Sequence, residues 1–311
     1  MNIEQFRKQK HYVGTVSTYK DLREDTDYVI EIFDTAIREL TKDELKPRYY
    51  ALYFETFNVK SCKYSENNHK KVNDLIKKNQ LQSLSLHFSE QEYKGGNIPI
   101  RIDASVQVLI CEKQKWEEDS KNKLHKNDVS FSVSAKYNSE KLEFLKQWIK
   151  EIFVQVDGIN GYMDYLPSVH LAGVVNTTAY EQVSDSNASL FGDFCNKARG
   201  YFWITILTQR HIENLGGEKY VKENIPNYHI EEVKMKDGSA TYFCQLTDDI
   251  FGFDKEKHLQ LKEFLKPILD EENIKDINRV IYSAKSLKDS IEDRRLVFSE
   301  QQYKEIEEYT K

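Results

Sequence analysis

Proline and glycine are scarce in this sequence, five and twelve in 311 residues. That scarcity argues against long disordered linkers. Methionine and tryptophan are rarer still, at three each. The four cysteines, Cys62, Cys111, Cys195 and Cys244, lie far apart and form no Cys-x-x-Cys pair. They offer neither a disulfide framework nor a zinc spacing, and read as reduced core thiols of a cytoplasmic protein. The opening MNIEQFRKQKHYVG lacks the apolar stretch of a secretory signal. No apolar run approaches the roughly 20 residues a membrane helix needs. Positive charge is in the minority, with 45 Lys and Arg against 51 Asp and Glu, a net of −6. Such a balance provides no clustered positive field for nucleic acid. The expected partner is therefore a protein, with neither nucleic acid nor membrane directly involved.

Catalytic signatures are missing too. There is no Gly-x-Ser-x-Gly, no phosphate-binding Gly-x-x-x-x-Gly-Lys, no His-Glu-x-x-His and no Gly-x-Gly-x-x-Gly. The expectation is a protein that is not an enzyme and carries no cofactor. What the chain does have is aromatic residues, with 19 Tyr and 16 Phe. Large rings with polar tips suit protein recognition, and they equally suit strands.

Periodicity gives the fold class. DTDYVIEIFDTAIREL (25–40) spaces its apolar residues as a helix does, and RYYALYFETFNV (48–59) reads as a strand. NHKKVNDLIKKN (68–79) reads as a charged surface helix. LQSLSLHF (81–88), IPIRIDASVQVLIC (98–111) and DVSFSVSAKY (128–137) alternate as half-buried strands do. The last two are joined by a charged arm (113–127) and form an expected hairpin, followed by the amphipathic helix SEKLEFLKQWIKEIF (139–153). A second hairpin, YHIEEVKM and SATYFCQL around Gly238, precedes EKHLQLKEFLKPIL (256–269). Six of thirteen residues coincide between helices 140–152 and 256–268. The pattern predicts an α+β protein, an antiparallel sheet covered by helices, with two pseudo-repeated hairpin-plus-helix halves. The expected divisions are an N-terminal α/β extension (1–95), an α+β domain (96–270) and a charged helical tail (271–311). Amphipathic segments in that tail also allow a homo-oligomer.

The stretch RGYFWITILTQRHIENLGG (199–217) is the most patterned in the chain. It predicts a strand, a short helix capped by Thr208, and glycines at Gly216 and Gly217 where the helix ends and the chain reverses. His211 has no second histidine four residues on and reads as an exposed helix residue without chemistry.

Gly200, Trp203, Leu207, Thr208, His211, Leu215, Gly216 and Gly217 together resemble the type VI secretion immunity protein family (TsiV-like). GINGYMDY (158–165) and CQLTDDIFGFDKEKHLQLKEFLKPI (244–268) extend the resemblance over roughly 95–270. It implies an α+β protein that neutralises a toxic partner by binding it, with no catalysis of its own. An inhibitor encoded by a phage or mobile element against a host defence enzyme would use the same mechanism.

Three regions are candidate partner-binding sites: Trp116 among Glu117, Glu118 and Asp119; the group Tyr162, Asp164 and Tyr165; and the acidic turn with Asp248 and Asp249. An aromatic anchor rimmed by acids suits a basic partner. The opposing reading is a metal-dependent hydrolase using Asp248, Asp249 and Asp254, although turn-forming acids explain that cluster equally well. Cys195 with His170 or His211 lacks the local context of a thiol nucleophile.

Overall fold

Ten strands and six α-helices stand among the described residues of the computed structural model, and they define an α+β fold. Those residues are 10–43, 45–54, 58–90, 102–110, 127–134, 139–167, 195–198, 200–250 and 254–269. The chain divides into two compact units, one spanning Tyr12–Gly158 and the other running from Ile159 onward and including the residues up to His11.

In the first unit the elements run β1 (Lys10–Thr18), α1 (Thr26–Leu40), β2 (Lys46–Phe54), β3 (Val59–Lys63), α2 (Glu66–Lys77), β4 (Leu81–Ser89), β5 (Ala104–Leu109), β6 (Asn127–Ser134) and α3 (Ser139–Gln155). Their strand order is β3-β2-β4-β5-β6-β1. Antiparallel registers set Tyr50 opposite Cys62, Leu52 opposite Leu84, Leu86 opposite Val106 and Val108 opposite Val129. The boundary expected at residue 95 falls between β4 and β5, which pair directly, so residues on both sides of it belong to one sheet.

Alternation explains the middle of this sheet. Ala104, Val106 and Val108 of β5 and Val129, Phe131 and Val133 of β6 are all buried. Helical spacing likewise buries Val29, Ile32, Phe33, Ala36 and Leu40 on one side of α1. On α3, Trp148 stacks against both Phe131 and Phe144, at centroid distances of 5.6 and 5.4 Å. Gly14 of β1 makes room for this packing, because a Cβ there would lie 2.4 Å from the Phe131 ring.

The second unit contains β7 (Asn160–Pro167), β8 (Ile204–Leu207), α4 (Gln209–Asn214), α5 (Glu218–Asn224), β9 (His229–Lys234), β10 (Ala240–Gln245) and α6 (Lys255–Leu265), with strand order β7-β8-β10-β9. Tyr201, Leu207, Ile212, Tyr242, Leu261 and Leu265 lie at the centre of its core. Both expected hairpins form, β5 with β6 and β9 with β10, and each precedes its amphipathic helix.

Three strands depart from the sequence reading. β1 occupies part of what reads as a basic lead, β7 occupies the Gly-aromatic segment, and the single run at 48–59 yields β2 with the start of a second strand, β3. Among the described residues no helix is long and apolar enough to cross a membrane.

Candidate partner-binding site

Trp203 enters β8 with its ring buried, yet its indole Nε1 donates to the carbonyl of Thr247, 2.8 Å away. The backbone on either side is held as well. The Trp203 N–H donates to Asp164 Oδ2 at 3.3 Å, and its carbonyl accepts from Leu246 N at 2.8 Å. Gln245 reaches the same turn from β10, its Nε2 donating to the carbonyls of Thr247 (2.8 Å) and Asp248 (3.2 Å). The Thr247 hydroxyl donates to the Asp249 carbonyl at 2.8 Å. The turn after β10 is thus fastened from beneath, and Asp248 and Asp249 are exposed. Beside them stands Tyr228, 56% exposed, whose N–H donates to Gln245 O at 2.7 Å. A hydrogen bond with Asp248, together with that carboxylate's charge, raises the Tyr228 phenol above its ordinary pKa. The result is an aromatic ring and two carboxylates on a braced turn, an arrangement suited to a basic surface.

The rest of the 200–217 segment explains its own residue types. Thr208 begins α4 with a capping box, its N–H donating to His211 Nδ1 at 3.3 Å. His211 is therefore not the exposed residue expected from its place in a short helix. It is 0% exposed, because the helix turns it inward, where its ring caps the preceding strand end. Gly216 and Gly217 have φ of 109° and 94°, where other residues are strained, as the chain turns into α5. A Cβ on Gly216 would also press within 3.2 Å of the Tyr220 ring. Tyr220, 50% exposed, stacks with Phe264 at 6.0 Å. With Leu215, Gly216, Glu263 and Pro267 they line a shallow groove of about 310 Å³.

The other predicted site residues fall elsewhere. Tyr162 is buried and stacked on Phe202 at 3.9 Å, and Asp164 is buried against the Trp203 backbone. Residues 160–164 of β7 are buried on both faces of the strand, Met163 included, so Tyr162 and Asp164 brace the fold and present no surface to a partner. The Tyr165 side chain, the Trp116–Asp119 group, Cys111 and His170 lie outside the described residues. Asp254 is the N-cap of α6, accepting from Lys257 N at 3.0 Å. The three aspartates of the hydrolase reading thus have separate roles. Among the described residues no group of three His, Cys, Asp or Glu side chains is placed to hold a metal ion.

Sequence reasoning missed a second polar cluster, in the first unit. The Tyr50 hydroxyl lies 2.5 Å from His69 Nδ1, and His69 Nε2 lies 2.9 Å from Asp34 Oδ1. Because a carboxylate only accepts, Nε2 donates to it, and neutral His69 then accepts the Tyr50 hydroxyl proton at Nδ1. Tyr50 is fully buried, and burial raises its phenol pKa; the trio ties β2 to α1 and α2, with the half-exposed Asp34 carboxylate at its outer end. Its members lie 16 and 19 residues apart (34, 50, 69), a spacing that signals nothing in a linear reading.

The geometry defines an α+β protein whose second unit displays a braced acidic, aromatic turn. No family model matches the chain, and no curated protein does. Among solved structures the fold is similar to that of the Pseudomonas aeruginosa T6SS protein PA0821, with a TM-score of 0.56 and 14% identity over 84% of this chain and 73% of that one. That likeness is one of fold.

Proposed function

We propose that the chain is a non-catalytic protein that binds a partner enzyme and blocks its active or substrate-binding site, as a toxin-immunity factor does. The observation that carries this reading is the turn at Thr247–Ile250, held from beneath by Trp203 and Gln245 with Asp248, Asp249 and Tyr228 outermost. A preorganised turn loses little freedom on binding, and an exposed tyrosine beside two carboxylates supplies an anchor and a charge pattern. The fold it shares with a T6SS protein and the residue pattern at 200–217 both support the immunity setting. In this reading the partner is basic at the contact and the encounter takes place in the cytoplasm, consistent with the wide spacing of the four cysteines in the sequence.

Charge reversal tests the surface. Asp248→Lys with Asp249→Lys should weaken partner affinity at least tenfold by isothermal titration, with most of the loss in association rate and its salt dependence. Glu263→Lys, a reversal on α6 at an exposed pair with Lys266, should leave affinity within about twofold, since an exposed surface charge contributes little. Equal losses from both would refute this placement of the contact. Trp116→Ala with Glu117→Lys asks the same question of the arm at 113–127.

A further inference from the structure

Among the described residues the outer edge of β9 is open; it carries a self-complementary pairing pattern, and we infer that it joins two copies of this chain into a twofold, sheet-extending dimer. β9 stands last in the strand order of its unit, with β10 on its inner side. Two hydrogen bonds fix which amides point where. Met235 N donates to Ser239 O, and Leu246 N donates to Trp203 O. In the β9/β10 register, where Lys234 faces Ala240, the first bond assigns the odd-numbered residues of β9 to hydrogen bonding with β10. The second assigns the even-numbered residues of β10 to β8, the phase needed for its odd residues to serve β9. Ile230, Glu232 and Lys234 consequently direct their N–H and C=O groups outward, away from the sheet.

A second β9 approaching antiparallel must pair even residues with even ones. Centring the twofold on Glu232 sets Glu232 against its own copy, a like-charge clash. Centring it on Val233 sets Glu232 opposite the copy's Lys234 and Lys234 opposite the copy's Glu232, with the two Val233 side chains facing each other across the axis. Each Glu–Lys position is then a hydrogen-bonded pair exchanging both backbone bonds. Both charged residues are exposed. Lys222 Nζ, 3.0 Å from Glu232 Oε2, already pairs with that carboxylate within the monomer. A short strand with exposed ion pairs makes a weak, salt-sensitive dimer, in the micromolar range. This inference is independent of the inhibitor reading.

Sedimentation velocity of the full chain tests it, from about 5 to 200 μM at low and high salt. The expected result is a reversible dimer that weakens with salt. Lys234→Glu should weaken it at least tenfold, Glu232→Lys likewise, and the double exchange should recover most of the loss, because it restores opposite charges across the axis. Far-UV circular dichroism checks that each variant is folded. Lys234→Glu leaves the Lys222–Glu232 pair intact and so stands even if Glu232→Lys perturbs the monomer. A monomer throughout the range would overturn the inference. So would a dimer indifferent to the single reversals, or one that the double exchange fails to rescue.

Discussion

Trp203 illustrates how one residue serves core and surface together. Its ring fills the space under β8 while its single polar atom supports the Thr247 carbonyl. Trp203→Phe keeps most of the ring and deletes that bond. Because Gln245 still donates to the same carbonyl, the expected loss is about 1 kcal/mol. Urea denaturation measures the loss, and faster amide exchange confined to 247–250 would mark the slackened turn. The role was half legible: the run FWITIL announces a buried strand, but nothing in it says which carbonyl the indole meets. Cys244 carries the clearest pH signature. Burial pushes its thiol from 9.0 up to about 12. The unfolded thiol ionises first, so stability that is intact below pH 9 declines as the pH rises toward 12. Between about pH 8 and 10.5 this one group should remove about 2 kcal/mol. Cys244→Ala is weaker at pH 8 through its cavity, and its deficit relative to wild type should narrow by that amount at the higher pH. A constant deficit would mean the thiol is not buried as described.

Helices were easier to read than strand edges, although the cap of α6 was not among the features read. Asp254 sits three residues before Lys257, and its carboxylate satisfies that amide at the start of α6. Asp254→Ala should cost about 1 kcal/mol and Asp254→Asn a few tenths, whereas Asp248→Asn and Asp249→Asn should leave the melting temperature unchanged. A metal ligand would behave differently, with Asn as damaging as Ala to metal binding. Thermal melts of the four variants separate the two roles. The helices α1, α2, α3 and α6 were legible because each shows helical spacing of apolar residues or a charged surface pattern. β3 was not, since VKSCK has no apolar face and is a strand only because β2 offers it a free edge. β1 was missed for the opposite reason. Residues 11–14 are all buried, which erases the alternation that marks a half-exposed strand.

At the scale of the molecule, the sequence conveyed the α+β class and both hairpin-plus-helix modules, because these follow from local periodicity. It did not convey the division after Gly158, which depends on which strands pair across long loops. The same limit applies to the site. The acidic turn was visible as Asp248 and Asp249, but its tyrosine lies 20 residues away at Tyr228 and is brought near by the β9/β10 register. Tyr162 and Asp164 looked like surface candidates because aromatic and acidic residues often are. They lie in a strand buried on both faces. With a net charge of −6, binding to a basic partner should weaken as salt screens the contact.

The measurement that bears most directly on the proposal is an inhibition titration. The tagged full-length chain captures its partner from the native host at low salt, and the purified partner's own activity is then followed as the chain is added back. The proposal predicts activity falling to zero at a fixed stoichiometric ratio, with inhibition lost when Asp248 and Asp249 are both replaced by Lys. No stoichiometric partner, or a partner whose activity persists at saturation, would contradict it.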